Sequence, residues 1–381
     1  MKIDRRELAG AVADLGVLVP IAVALIVSNG LSATAVLLPA ALLYIAVAFV
    51  YDLPIPVQPL KAFGAIAIAS GLGSDEIAAG ALLMGAIFLL AGRLGVVDLA
   101  ARAFPRALVR GVQLTVGLLF LKIAWGLVTD PPKSFASHAF NPAWALPLGV
   151  AVVVLALVLK RYAISLVLVG VGTLTAFVVA AGEISLGPSP LQFPSLDGGV
   201  LLTALTVLVL PQAPLSFANS CLATADAARV YFGPEKAVRV QPGRLATTLG
   251  TANLFAGSIS GMPVCHGAGG LTAHYSFGAR TAAAPLAMGT GLFVLAVGFG
   301  SGLAGVLPAF PLPILAGMLA TAGLLHIGLL RDLRSARDWG LALLVGVVGF
   351  EVNLLWALAI GLAAWWIPYG FGRLHERMAT A

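Results

Sequence analysis

Long apolar runs recur from one end of this chain to the other, and they restrict its fold more than any other feature. The runs are about 18 to 25 residues long, which is the length of helix needed to cross ~30 Å of hydrocarbon. The chain of 381 residues is 60% hydrophobic and only 10% charged, a composition that leaves no room for a soluble domain. The first run lacks the small-residue cleavage site of a signal peptide, so we interpret it as a span. The sequence therefore predicts an all-α polytopic membrane protein.

Fourteen spans are predicted, in two groups of seven that are separated by a weakly polar loop at 183–197. The spans lie at 7–28, 33–51, 55–71, 76–92, 106–128, 143–159, 163–181, 199–219, 244–258, 261–278, 283–304, 311–330, 337–350 and 352–370. Each half of the chain, 1–182 and 197–381, would hold one group. Because seven is odd, the second half must start on the opposite side of the membrane. Two related halves would then form an inverted repeat.

The distribution of positive charge tests this span count, because cytoplasmic loops of membrane proteins are enriched in Lys and Arg. With the N-terminus in the cytoplasm, nineteen of the 22 Lys and Arg residues fall on the cytoplasmic side. Lys133 falls in an outer loop, and Lys61 and Lys122 lie within spans. The asymmetry predicts a multi-pass protein of the cell (inner) membrane with both termini in the cytoplasm. It also explains the formal net charge of +6 as a topology signal, so no nucleic-acid partner is expected.

The third and tenth spans are interrupted where a helix would otherwise begin. The third begins I-P-V-Q-P-L-K (55–61), and the tenth begins G-M-P-V-C-H-G-A (261–268). Proline lacks the N–H donor of a helix and pushes the residue before it towards extended geometry. Each segment is therefore predicted to run extended and then to start a half-helix, with Pro59 in the first turn of its helix. The two N-termini would face each other at mid-membrane and form an anion site.

Polar side chains at membrane depth supply the rest of the predicted site. Lys61 would cost about 2.5 to 3.5 kcal/mol near the bilayer centre, so it is expected to face a cavity or a counter-charge. Lys122 lies near the outer end of its span, where its side chain can reach the interface. Asp14 has two interpretations: partner to a lysine or helix N-terminus, and proton coupling. The predicted substrate-binding residues are Gln58, Lys61, Gln212, Ser216, Asn219, Cys265, His266 and Gly267.

The polar residues of the eighth span have an alternative role. Gln212, Ser216 and Asn219 share one face of an α-helix, and their neutral donors suit a large, weakly basic oxyanion. Hydrogen bonding between helices is the alternative for all three. Cys265 and His266 have no matching cluster of ligands, so no metal site is expected. The sequence carries no GxSxG, HExxH or paired-carboxylate motif, so neither enzyme activity nor a cofactor is expected.

Four stretches carry a resemblance to a known family: G-A-V-A-D-L-G (10–16), P-V-Q-P-L-K-A-F (56–63), F-P-R-A-L-V-R-G-V-Q-L-T-V-G (104–117) and G-M-P-V-C-H-G-A-G-G-L (261–271). The chain resembles the molybdate transporter family, which is allied to the SulP sulfate permeases, over almost its whole length. The resemblance implies a core domain from spans 1–4 and 8–11 and a gate domain from spans 5–7 and 12–14, as in SulP and uracil permease transporters. Substrate would lie between half-helices 3 and 10, and the core would move against the gate as an elevator. The STAS domain usual in SulP proteins is expected to be absent, because the chain ends soon after Arg377.

The residues and the resemblance together predict a secondary active transporter of a tetrahedral oxyanion. The residues favour an oxyanion, and only the resemblance points to molybdate, with tungstate and sulfate as related anions. A sulfate or bicarbonate permease is the main alternative, since it would share nearly every feature. A nucleobase symporter, which would be expected to carry carboxylates on spans 8 and 10, and an anion channel are further alternatives. The lipid bilayer is the other expected partner, and a homodimer is expected from the resemblance alone.

Overall fold

The computed structural model of this chain describes residues 4–12, 15–97, 105–159, 164–180 and 185–379, and most of these residues are helical. The helices of the first half are α1 (Arg5–Ala11), α2 (Leu15–Val27), α3 (Ala33–Tyr51), α4 (Lys61–Ala69), α5 (Ser74–Leu94), α6 (Arg106–Thr129), α7 (Pro142–Val158) and α8 (Ile164–Val179). Those of the second half are α9 (Gly198–Phe232), α10 (Pro242–Ser258), α11 (Ala268–Phe277), α12 (Ala283–Gly298), α13 (Gly300–Val306), α14 (Leu312–Ile327), α15 (Ala336–Glu351) and α16 (Leu354–Ala379). The strands are β1 (Gln58–Pro59) and β2 (Val264–Cys265).

Several helices in the described part of the chain have the length and apolar composition of membrane spans. Five qualify singly, namely α3, α5, α6, α9 and α14 with the turn that follows it (Leu312–Asp332). A sixth results if the pair formed by α12 and the segment Gly300–Ala309, bent by 81°, counts as one span. Helices α2, α7, α8 and α16 contain shorter apolar stretches. These helices identify a multi-pass membrane protein.

The eighth and eleventh predicted spans differ from the helices that the structure shows. The eighth, predicted at 199–219, continues as α9 to Phe232. Two π-helical stretches, Ala204–Val209 and Ser216–Ala223, flank the prolines of this helix. Local π geometry can re-satisfy the backbone groups that proline frees, so the helix does not stop there. The eleventh, predicted at 283–304, bends where α12 ends, in a stretch whose glycines have low helix propensity.

The interrupted spans run extended, as the prolines predict, and they pair with each other. Strands β1 and β2 are antiparallel, with Gln58 opposite Cys265 and Pro59 opposite Val264. Half-helices α4 and α11 follow the strands directly, so the predicted half-helices are confirmed. In the aligned sequences, I-P-V-Q-P and M-P-V-C-H, the paired residues Gln58 and Cys265 occupy the same position.

The sequence predicts Pro59 in the first turn of α4, and this prediction is wrong because Pro59 lies in β1. The pairing extends one residue beyond it, because the N–H of Leu60 donates to the carbonyl oxygen of Pro263 at 3.1 Å. Helix α4 therefore begins at Lys61, two residues later than a proline at the first helical position would place it.

The long helices pack in two groups. In the first group, α3 packs against α12 and α5 packs against α10. In the second, α6 packs against α14 and α15, α14 packs against α7, and α15 packs against α16. The half-helix α4 contacts α6, and α2 contacts α14, so these two elements lie where the groups meet.

Glycines bring α5 and α10 into close backbone contact. A Cβ atom at Gly250 would lie 2.3 Å from the backbone nitrogen of Leu89, and one at Gly85 would lie 2.6 Å from that of Leu254. Lipid is as apolar as leucine, so helices in a membrane associate through close packing of this kind. The first group of helices therefore depends on small residues at this interface.

The substitution Gly250→Ala is expected to lower stability by about 1 to 3 kcal/mol, because the added methyl group forces two packed backbones apart. The measurement is the thermal unfolding midpoint of the purified protein in detergent. Gly291→Ala on α12 is the matched control, since a Cβ atom there meets nothing within 4 Å. The control is expected to keep or raise the midpoint, because alanine is the better helix former. Equal midpoints for the two variants would contradict the close packing.

Candidate functional site

A cavity of about 760 Å³ lies between the two half-helices and the second group of long helices. Residues of α4, α9 and α11 line one side, and residues of α6 and α14 line the other. The cavity extends to the surface of the protein at Arg106, whose side chain is 66% exposed. Its polar and charged lining residues are Gln58, Lys61, Arg106, Arg110, Gln113, Asn219, Asp226, Thr272 and His326.

Three of the predicted ligands, Gln58, Lys61 and Asn219, line this cavity. A fourth, Gly267, lies against two of them: a Cβ atom at this position would be 2.1 Å from Gln58 Oε1 and 3.7 Å from Asn219 Nδ2. A side chain at position 267 would therefore force the amide of Gln58 to move. The structure therefore brings these four residues together.

The starts of α4 and α11 add positive potential at the same place. Lys61 is the first residue of α4, and residues Ala268 and Gly269 of the first turn of α11 line the cavity. Neither N-cap residue, Leu60 or Gly267, caps its helix with a side chain. Unpaired N–H groups and the helix dipole make such helix ends favourable for anions.

Gln212 and Ser216 are buried behind this surface, and the described lining of the cavity does not include them. Gln212 Oε1 accepts a hydrogen bond from the N–H of Phe63 at 2.9 Å, and Gln212 Nε2 donates to Ser216 Oγ at 2.9 Å. Phe63 lies in the first turn of α4, where N–H groups have no partner within the helix. The bond from Phe63 to Gln212 joins two helices, which is the alternative that the sequence leaves open, whereas the bond from Gln212 to Ser216 lies within α9.

Asn219 lies apart from Gln212 and Ser216 although a regular α-helix would put all three on one face. The chain is π-helical from Ser216 to Ala223. A π-helix bonds i to i+5, so its periodicity differs from that of an α-helix, on which the predicted face rests. The change of periodicity leaves Asn219 in the cavity lining and the other two in the interior.

His266 is fully buried and lies outside the described lining of the cavity. Its Nδ1 is 3.1 Å from the carbonyl oxygen of Pro56, and because a carbonyl only accepts, Nδ1 must donate. Its Nε2 is 2.9 Å from Thr248 Oγ1, which lies 2.8 Å from the hydroxyl of Tyr51. Cys265 is also buried, and its Sγ donates to the carbonyl oxygen of Pro59 at 3.6 Å.

Two side chains without a predicted role support the strand pair. Asn253 Nδ2 donates to the carbonyl oxygen of Val264 at 2.9 Å, and Asn253 Oδ1 accepts from the N–H of Val264 at 2.7 Å. His274 Nδ1 donates to the carbonyl oxygen of Pro54 at 3.1 Å. The sequence does indicate that such side chains are needed. Carbonyl groups in a proline-rich extended segment have no N–H donors from a helix, and buried backbone groups must find hydrogen-bond partners.

The far side of the cavity carries charges that the sequence explains as topology signals alone. Arg106 and Arg110 at the start of α6 both form ion pairs with Asp332, which follows α14. Arg110 also donates to Gln113 Oε1 at 2.6 Å. Their position in the cavity depends on how α6 packs against α14, which the sequence does not show. Asp14 lies outside the residues that the structure describes.

Comparison with known proteins identifies relatives over most of the chain. The sequence profile of a family described as "Molybdate transporter of MFS superfamily" matches residues 6–120 and 204–325. Molybdate transporter 1 of Arabidopsis thaliana is 28% identical over 401 aligned positions, which cover 94% of this chain and 86% of that protein.

Two solved structures share the fold at low sequence identity. The transmembrane domain of BicA, a bicarbonate transporter of a cyanobacterium, has a TM-score of 0.63 and 17% identity, over 95% of this chain and 98% of that one. Murine Slc26a9, an anion transporter in the inward-facing state, has a TM-score of 0.67 and 15% identity, over 98% of this chain and 70% of that one. Both are SulP/SLC26 transporters, so the predicted relation to that group holds for the fold. Because the family profile matches more than half of the residues of this chain, the chain belongs to the molybdate transporter family.

Proposed function

We propose that this protein is a secondary active transporter of a tetrahedral oxyanion and that its substrate is molybdate. The observation that carries the proposal is the cavity in which Lys61, Gln58 and Asn219 meet the N-termini of the two half-helices α4 and α11. One ammonium group and two partly positive helix ends suit an anion, and amide donors suit its oxygens. The choice of molybdate among oxyanions is supported by the family and by the Arabidopsis relative.

The predicted ligands divide into two sets in this proposal. Gln58, Lys61 and Asn219 contact the oxyanion, together with backbone N–H groups beside Gly267. The second set holds the backbone that presents them. Its members are Gln212 and Ser216, which fix the first turn of α4, and Cys265 and His266, which bind the carbonyl groups of the extended segment.

The transport mechanism that we propose is an elevator with fourteen spans in two inverted repeats. The direct pairing of the aligned positions Gln58 and Cys265 supports the repeat, because related segments that enter from opposite sides must run antiparallel. The two packing groups of helices support a core domain and a gate domain, with the cavity between them. Helices α4, α9 and α11 would carry the anion along α6 and α14. Proton coupling through Asp14 and a homodimer stay predictions.

We propose that the structure is the inward-facing state. The cavity extends to Arg106 and Asp226, and both are exposed at the end of the molecule that the charge asymmetry predicts to be cytoplasmic. Transport by alternating access requires a second state in which the same site opens on the other side of the membrane.

The substitution Lys61→Gln is expected to weaken molybdate binding by roughly 10- to 100-fold, because it removes a hydrogen bond from a charged group. The measurement is the dissociation constant of the purified protein, with uptake into proteoliposomes alongside it. Lys122→Gln is the matched control: Lys122 Nζ lies 5.7 Å from the centroid of the Phe350 ring, and the residue is not in the described lining. Unchanged affinity in a folded Lys61→Gln protein would refute the site.

Competition for uptake tests the substrate separately from the site. Molybdate and tungstate are expected to inhibit each other's uptake by the wild-type protein, and sulfate is expected to compete more weakly. Sulfate uptake that molybdate leaves unaffected would exclude molybdate as the substrate, whatever the effect of Lys61→Gln.

The substitution His266→Phe is expected to lower stability by about 1 to 3 kcal/mol, because the buried carbonyl group of Pro56 loses its donor. The folded fraction is expected to bind molybdate nearly as well as the wild type. Thermal unfolding in detergent and calorimetric titration measure the two quantities. His138→Phe, at the exposed end of the short 3-10 helix Lys133–His138, is the control. Normal stability with lost molybdate affinity would instead make His266 a ligand, as the sequence predicts.

A further inference from the structure

His326 faces the same cavity as Lys61 from the opposite group of helices, and the sequence assigns it no role. It lies near the end of α14 and is only partly buried. Its ring packs edge-on against Phe120 of α6, with 6.0 Å between the ring centroids. An imidazole is thus held in a defined position on the wall across from the half-helices.

The hydrogen bond at Nδ1 determines what the other ring nitrogen can do. Nδ1 lies 2.9 Å from the carbonyl oxygen of Ala322, one turn earlier in α14, so Nδ1 carries a proton. In the neutral ring Nε2 then has a lone pair and is an acceptor, which repels an anionic oxygen. Only a ring that is protonated at both nitrogens can donate from Nε2 to an oxyanion.

The charges around His326 link its protonation to the contents of the cavity. Lys61 faces it from α4, Asp226 lies on α9, and Arg106 and Arg110 lie on α6. Both arginines pair with Asp332, which follows the helix of His326. In the empty cavity Lys61 opposes a second positive charge on the ring, whereas a bound dianion attracts one. Lys61 and a protonated His326 together would balance the two charges of the dianion.

We propose that His326 is a ligand of the oxyanion on the gate side of the cavity and that binding of the dianion takes up one proton at Nε2. The proton comes from solvent, and no other bond forms or breaks. This inference rests on the proposed function, since it needs an oxyanion beside Lys61. The dianion would then bridge α4 and α14, and the site would hold it from both walls.

The test is calorimetric titration of the purified full-length chain with molybdate from about pH 6 to pH 8.5, where molybdate stays a dianion. Wild-type affinity is expected to fall with rising pH, by up to about tenfold per pH unit wherever the free ring is neutral and the bound ring is protonated. Titrations in two buffers with different ionisation enthalpies are expected to show uptake of up to one proton per anion bound. This buffer comparison needs no variant.

The variant His326→Gln separates this residue from every other titratable group. Its amide can donate to an oxyanion without taking up a proton, so it is expected to bind molybdate with little dependence on pH. His138→Gln, at the exposed end of the 3-10 helix Lys133–His138, is the matched control and is expected to keep the wild-type pH dependence. Sulfate is titrated in parallel as a dianion that does not polymerise.

The outcomes distinguish this inference from the proposed function. Wild-type affinity that does not depend on pH, or a pH dependence that His326→Gln leaves unchanged, would overturn the inference while the site at Lys61 stands. If the variant fails to fold, the absence of proton uptake by the wild type overturns the inference in the same way. If the wild type binds no molybdate at any pH, the proposed function fails, and the inference fails with it.

Discussion

The antiparallel pairing of residues 58–59 with residues 264–265 is the interaction on which the rest of the site depends. Extended backbone at membrane depth survives only where its polar groups are satisfied, because each unsatisfied group costs several kcal/mol. Here β1 and β2 satisfy each other, Asn253 bonds the backbone of Val264, and two histidines bind proline carbonyl groups. The pairing also sets where α4 and α11 begin, and so where their free N–H groups point. The proposed anion site follows from how the backbone groups of the two interrupted spans find hydrogen-bond partners.

The sequence predicts the interruptions because proline acts locally: a missing N–H and a restricted neighbour need no tertiary contact to be recognised. It also predicts that Lys61 faces a cavity or a counter-charge, since the cost of a charge in lipid is a property of the residue, and the structure places Lys61 in a cavity lining. The roles of Gln212 and His266 are different. A buried amide or imidazole can bind a substrate or satisfy the backbone with the same donor, and only the packing of α9 and β2 against α4 and β1 decides between the two.

On the far wall of the cavity, the local sequence likewise does not predict the roles of the charged residues. Arg106 and Arg110 fit the positive charge of a cytoplasmic loop, and nothing in their local sequence distinguishes a topology signal from a wall of a cavity. Packing of α6 against α14 brings them to Asp332, which neutralises one of the two charges. Asp226 lines the same mouth from α9 and offsets the other charge, so these four side chains carry no formal net charge. Long-range packing creates this arrangement, so no local pattern could reveal it.

A transporter must bind its anion well enough to select it and weakly enough to release it. Two helix ends of about half a charge each, together with Lys61, already give the half-helix side of the cavity a permanent positive potential. A second fixed cation across from Lys61 would hold a dianion more tightly. It would also repel Lys61 after the anion leaves, when the empty transporter must return to its starting state. A histidine whose Nδ1 is held by its own helix avoids this conflict, because its charge can appear with the anion and leave with it. The chemistry of a dianion therefore favours a titratable group over a second permanent cation on the wall that α14 provides.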